Sequence, residues 1–295
     1  MLIKEHAGAP NSKALKISRP LRIQAMIAVF FLSAWFGQSA WAAAPDAVRI
    51  DFWNDSEPQS TIKVNHSVWQ SVLDKYLDDK HPSGINRFDY LAVSQVDRAL
   101  LDDYLNYLQQ MEPRQLSIAE QKPFWINLYN AKTVEVVLRR LQSDSITSIR
   151  QIRSGIFTPG PWKNKLLTLS RQEISLDDIE HGILRPNFND RRIHYALNCA
   201  ALGCPSLLKT AFTSENTEQL LAFAERSFLS HPRAARIQDS ELVLSSLFDW
   251  YASDFAYNPN ELLAYIKKFT SAETSKIFSQ QPETRFEYDW ALNKP

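Results

Sequence analysis

Residues 123–141 read PFWINLYNAKTVEVVLRRL. Apolar residues occupy most of the circumference at helical spacing, which predicts a helix buried on nearly every side. Ser117 and Glu120 of the preceding SIAE fit a capping box opening this helix, and Pro123 predicts a bend near its start. Asn127 and Asn130, three residues apart, fall on one face. Buried carboxamides must find partners. They are read first as clamps on neighbouring backbone, and second as groups that orient a catalytic imidazole or donate to an oxyanion.

Working outward, residues 64–77 place Val64, Val68, Val72 and Tyr76 at helical spacing, with His66 and the later His81 read as surface residues. GINRFDY (84–90) predicts a turn and a short extended piece, and residues 93–111 a second helix. Residues 146–165 carry Gly155, Pro159, Gly160 and Pro161 and read as a long loop anchored by Phe157 and Trp162. A strand is expected over 166–169. Ser175 then opens a short helix, LDDIEHGILR, stopped by Pro186, with Leu176, Ile179 and Ile183 towards the core. Glu180 and His181 are adjacent on it, so they point about 100° apart and cannot pair face to face; Asp177 and Arg185 lie one turn either side of His181. Further on come a helix over 215–229, a hairpin over 235–245 turning at Asp239-Ser240, and aromatic-rich helices over 247–255 and 261–269 read as core. The tail from 279 is polar, with Trp290 as its dock. There is no internal repeat and no clear linker. The chain therefore reads as a mostly helical α+β single domain around a small, largely antiparallel sheet, occupying residues 61–290.

The densest chemistry lies in RIHYALNCAALGCPSLL (192–208), which holds His194 and both cysteines of the chain, Cys199 and Cys204. Its first half alternates like a strand, and its second half turns at Gly203 and restarts as a helix at Cys204-Pro205. On a strand, His194 and Cys199 project to opposite faces. His181, arriving from another element, is then the better base for Cys199, with Glu180 or Asn130 as orienter. Cys204 is a rival nucleophile, since a helix N-terminus favours its thiolate.

Residues 1–42 read as a Sec-type signal peptide. Lys4, Lys13, Lys16, Arg19 and Arg22 precede an apolar run over 25–37, and Ala40-Trp41-Ala42 supplies a cleavage pattern near Ala42. The run is too short for a comfortable permanent span. Residues 43–60 form an N-terminal arm. Without the leader the chain has 28 lysines and arginines against 32 acids, a net charge of about −4. No basic patch of the kind phosphate backbones require is present, so nucleic acid is not an expected partner. An envelope small molecule, peptide or protein is the expected class, in the periplasm or secreted.

FWINLYNA, SLDDIEHGILR, RIHYALNCAALGCPSL and FDWYASDF together resemble, in order and spacing, the family known as domain of unknown function 547, over roughly residues 82–255. The resemblance implies a mixed helix-and-sheet domain of bacteria, often behind an export signal. By position it carries over Asn127 and Asn130, Glu180 and His181, and His194 and Cys199, with Cys204 less firmly. The sequence departs from the pattern at Ala200, where glycine is frequent.

Three chemistries fit these residues. A cysteine-dependent hydrolase or acyl/peptidyl transferase would act on an amide, peptide or thioester bond, with a cysteine as nucleophile and a histidine as base. A binding or scaffold domain would instead use Cys199 and Cys204 as a structural disulfide, which export favours. A metal site from Glu180, His181, His194 and the thiols lacks any recognised ligand spacing. The first is the leading expectation, with no cofactor and no metal, and the second is its alternative.

Overall fold

Twelve consecutive residues, 120–131, are buried without a break, as the apolar circumference of that stretch requires. They form the first half of α3 (Ile118–Ser143), which lies at the centre of the computed structural model. That model describes residues 46–143, 145–152, 160–270, 275, 278 and 283–295. The expected leader and its cleavage point near Ala42, the start of the N-terminal arm, and the Phe157 anchor lie outside the described residues. The helix begins one residue after Ser117, as expected. Its Glu120 carboxylate does not complete the capping box, however; it accepts from the Val64 N–H (2.9 Å) and the Lys63 ammonium (3.3 Å).

Helix α2 (Gln95–Gln110) packs beside α3, and α1 (Ser67–Tyr76) packs beside α2. Ser94 caps α2, its side chain accepting from the Asp97 N–H. His66, expected at the surface, is buried at 6 % exposure, its Nδ1 2.7 Å from the Tyr104 hydroxyl. Burial pushes its pKa down to about 4. A lone histidine next to an apolar helix start packs when a neighbouring hydroxyl satisfies it.

The strands form three small sheets rather than one: β1 (Leu77–Asp78) with β2 (Arg87–Phe88), β3 (Leu167–Leu169) with β4 (Gln172–Ile174), and β5 (Ala235–Gln238), β6 (Glu241–Ser245) and β7 (Thr284–Glu287). Three pairings are antiparallel and β6–β7 is parallel. The β5–β6 hairpin turns at Asp239 (φ 52°) and Ser240 (φ 67°), the two left-handed residues that a tight hairpin turn needs. Helix α6 (Thr217–Leu229), the short α7 (Leu247–Trp250) and α8 (Ala252–Phe255), and α9 (Pro259–Lys267) complete the mostly helical α+β architecture.

Residues 192–208 are neither strand nor helix start. Ile193–Ala196 is a short helix, α5, and an irregular extended run follows, joined to the tail by a single bridge, Ala201 to Leu292. Every residue from 193 to 198 is buried, so the alternation had no solvent face to report, and the strand parity argument does not apply. No helix starts at Pro205, whose carbonyl accepts from the Asn198 amide.

The tail is also more than a polar end. The N–H groups of Leu202 and Gly203 donate to Ala291 and Asp289, and the N–H of Asn293 donates to Ala200. A Cβ on Gly203 would lie 2.8 Å from the Asp289 nitrogen, so this close approach requires glycine. Trp290 packs against Trp250 and Tyr288.

The N-terminal arm docks on Gly182. Pro186 has no N–H, so the Gly182 carbonyl four residues earlier cannot receive an α-helical bond; it accepts from the Ile50 N–H at 2.9 Å. A Cβ on Gly182 would meet the Ile50 side chain at 2.5 Å. Gly182→Ala is expected to lift the arm, seen as faster limited proteolysis ahead of Trp53, and Ile50→Ala in the same chain is expected to restore protection. Unchanged cleavage in the single variant would contradict this packing.

Candidate functional site

Residues Asp178–Leu184 form a π-helical segment that runs into α4 (Arg185–Phe188). Pro186 was expected to stop the helix. The wider π turns, with bonds five residues apart, absorb the missing donor, and the helix ends instead at Asn189, in the left-handed region at φ 46°. Such segments are uncommon and concentrate at functional sites. This one buries Glu180, His181 and Arg185 together, at 8 %, 7 % and 8 % exposure.

Arg185 reaches in two directions. Its Nε and Nη2 donate to both carboxylate oxygens of Asp254 on α8, at 2.6 and 3.0 Å, a bidentate pair. Its Nη1 lies 3.0 Å from the His181 Nδ1. A guanidinium has only donors, so His181 Nδ1 accepts, the imidazole is neutral, and its proton sits on Nε2. Burial lowers the His181 pKa, with the charges of Arg185 and His194 acting in the same direction and those of Glu180 and Asp254 opposing it.

His194 on α5 supplies the other side. Its Nε2 is 2.7 Å from the Asp254 Oδ2, while its buried Nδ1, 3.8 Å from the Glu180 Oε1, has no hydrogen-bond partner among the described residues. The ring packs against Tyr251 (centroids 4.0 Å apart) and Phe255 (5.3 Å). Glu180 in turn accepts from the Tyr129 hydroxyl at 3.2 Å. Burial, with the Glu180 charge beside them, pushes Tyr129 and Tyr251 well above their usual range. Burial alone would raise Asp254; the bonds from His194 and Arg185 outweigh it and hold the carboxyl well below the usual carboxylate range.

Of the residues expected at the site, Glu180, His181 and His194 come together. Asn127 and Asn130 are backbone clamps. Asn127 brackets Phe212, donating to its carbonyl (2.7 Å) and accepting from its N–H (3.1 Å). Asn130 donates to the Ala196 carbonyl and accepts from the Asn198 N–H, both at 2.9 Å. Cys199 and Cys204 are joined as a disulfide. The Cys199 sulfur lies 3.1 Å from the Tyr288 hydroxyl, and the Cys204 sulfur accepts from the Cys199 N–H at 2.8 Å. His181 turns its Nδ1 to Arg185 and His194 its Nε2 to Asp254, and neither has a hydrogen bond to sulfur among the described residues. Among those residues no group of three or more His, Cys, Asp and Glu side chains could hold a metal ion.

Sequence reasoning missed Asp254, Tyr251, Tyr129 and Tyr288, and saw Arg185 only as a neighbour of His181. The signal for two of them was present: FDWYASDF was noted as a motif but read as core, and it carries Tyr251 and Asp254 between the buried Phe248 and Phe255.

His181 also lines a cavity of about 330 Å³, with Val48, Ile50, Lys163, Lys165, Ser175, Asp177, Asp178 and Gly182. Asp177 is half-buried, and burial together with the charge of Glu180 pushes its pKa up to about 6.

Residues 113–229 match the model of the family described as Protein of unknown function, DUF547. Three of the four motifs lie inside this range, while FDWYASDF, which supplies Asp254, lies beyond it. No curated protein and no solved structure matches the chain.

Removing the Asp254 charge takes the bidentate carboxylate partner from the buried Arg185. Asp254→Asn is expected to destabilise the fold by about 2–4 kcal/mol in urea unfolding at pH 7. The folded-state pKa of Asp254 is depressed below its ordinary value of 3.8, so its contribution is complete above that value and lost as pH falls through the folded one. The parent should therefore lose stability on acidification below about pH 4 more steeply than the variant. Equal stability of the two at pH 7 would contradict the role assigned to this carboxylate.

Proposed function

We propose that this DUF547-domain protein is an exported ligand-binding domain in which the Cys199–Cys204 disulfide is structural and the π-helical segment presents His181 to the adjoining cavity. The observation that carries this reading is the direction of the reactive groups. Each sulfur is bonded to the other. Each imidazole has one nitrogen committed to a charged partner, Arg185 or Asp254. General-base activation of a thiol needs an imidazole within hydrogen-bond reach of it. The charged leader pattern of residues 1–42 supports export, and export supports a lasting disulfide. Such a domain would meet an envelope small molecule, peptide or protein.

A second reading has one observation in its favour. The N–H of Cys199 points at the Cys204 sulfur, and a donor so placed favours a thiolate once the bond is reduced. On that reading the protein is a cysteine-dependent hydrolase or transferase acting on an amide, peptide or thioester bond, with Cys204 or Cys199 as nucleophile.

Mass spectrometry after alkylation separates the two. The binding reading expects protein made under oxidising conditions to lack two hydrogens, to take up no iodoacetamide until reduced, and to lose about 2 kcal/mol of stability in the Cys199→Ser/Cys204→Ser double variant while remaining folded. One cysteine alkylated rapidly and stoichiometrically without reductant, together with thioester hydrolysis abolished by its substitution, would establish the second reading instead.

A further inference from the structure

The cavity beside His181 carries a charge pattern that the buried network does not use. Lys165 is ion-paired with Asp178, and Asp178 also accepts from Ser175. Asp46, Lys163 and Asp177, by contrast, have no hydrogen-bond or ion-pair partner among the described residues, although they line the same space, and the Lys163 charge is near enough to lower the Asp177 pKa. The remaining polar group is His181. It is 7 % exposed, and its Nδ1 is taken by Arg185. Its Nε2, which carries the proton, has no protein partner among the described residues. An N–H donor that opens onto the wall of a cavity is placed to meet an acceptor from outside the chain. Val48 and Ile50 supply an apolar wall, and the bare Cα of Gly182 lies beneath the Ile50 side chain.

The cavity thus offers two unpaired carboxylates, Asp46 and Asp177, an unpaired ammonium close to Asp177, a neutral N–H donor and an aliphatic wall. We propose that it binds a free α-amino acid with an aliphatic side chain, its ammonium against Asp177, its carboxylate against Lys163 and the Nε2–H of His181, and its side chain on Val48 and Ile50. This rests on the binding reading above and names its ligand. A cation alone would leave Lys163 and the imidazole N–H unanswered, and an anion alone would leave Asp177 unanswered; a compact zwitterion answers all three. A cavity of about 330 Å³ is at the small end of the range for ligand pockets, which suits a single amino acid and excludes a long peptide. The partly desolvated Asp177, already pushed up to about 6, gains most from a cation that keeps it ionised.

Isothermal titration calorimetry on the full chain tests this with three probes: L-leucine, 4-methylpentanoate, which lacks the amine, and 3-methylbutylamine, which lacks the carboxylate. L-leucine should bind at least about tenfold more tightly than either truncated probe, the loss expected for one charge-assisted contact. Asp177→Asn and Lys163→Met should each weaken L-leucine by a similar factor. Asp177→Asn should leave 4-methylpentanoate unaffected, and Lys163→Met should leave 3-methylbutylamine unaffected. Thermal unfolding unchanged in both variants shows that the fold is intact. If a truncated probe binds as well as L-leucine, or the substitutions change nothing, the ligand assignment falls while a binding function stands. If no probe binds, the assignment falls as well, and the thiol-labelling result decides the binding reading independently.

Discussion

The carboxylate of Asp254 ties its own stretch of chain to Arg185 and His194, 69 and 60 residues earlier in sequence. It receives two bonds from Arg185 and one nitrogen of His194, and so joins the π-helical segment, α5 and α8 at one point. A buried ion pair adds little net stability against an apolar alternative, but loss of either partner strands the other charge. Its value here is orientation. With Asp254 in place, the guanidinium of Arg185 is fixed, its third nitrogen meets His181, and the tautomer of that imidazole follows. With His194 held at Nε2, its Nδ1 is turned towards Glu180.

The supports of this network are backbone clamps rather than further charges. Asn130 holds both ends of the turn after α5, bonding Ala196 and Asn198, and Asn127 does the same at Phe212. The disulfide closes the loop from Cys199 to Cys204, and the tail stitches that loop from the outside through Asp289, Ala291 and Asn293. The loop needs holding. Ala200 adopts φ 64°, a conformation that favours glycine and costs an alanine about 1 kcal/mol. The Asn198 side chain supports this conformation by accepting from the Ala200 N–H at 3.0 Å.

Elements with a strong period or a distinctive turn were legible in the sequence. The apolar circumference of 123–141 predicts a central helix, and it is one; Asp239-Ser240 predicts a hairpin turn, and both residues are left-handed. Reading failed where burial erased the pattern. Residues 193–198 have no exposed face, so their alternation carried no information about strand or helix, and the inference drawn from it about His194 and Cys199 went with it. Composition misled in the same way at the FDWYASDF motif. Its aromatic rings made it look like core, and Phe248 and Phe255 are core, but Asp254 between them is the carboxylate that the network depends on. The π-helical segment had no sequence signal beyond Pro186, and Pro186 pointed to the wrong outcome because the register shift that accommodates it depends on the Ile50 N–H from a distant arm.

Function follows from where the polar groups end. The sulfurs face each other, the carboxamides face backbone, and the charges of Arg185 and Asp254 face each other. Two imidazole nitrogens remain open among the described residues, His194 Nδ1 inside the network and the outer nitrogen of His181, and the second lies on the wall of the cavity beneath the arm. The protonation state of that imidazole is therefore the centre of the account, and nitrogen-15 NMR of histidine-labelled protein measures it directly. His181 should appear as the neutral Nε2–H tautomer and remain neutral below the ordinary histidine value of 6.5. A His181 resonance that is imidazolium at neutral pH, or that carries its proton on Nδ1, would contradict it.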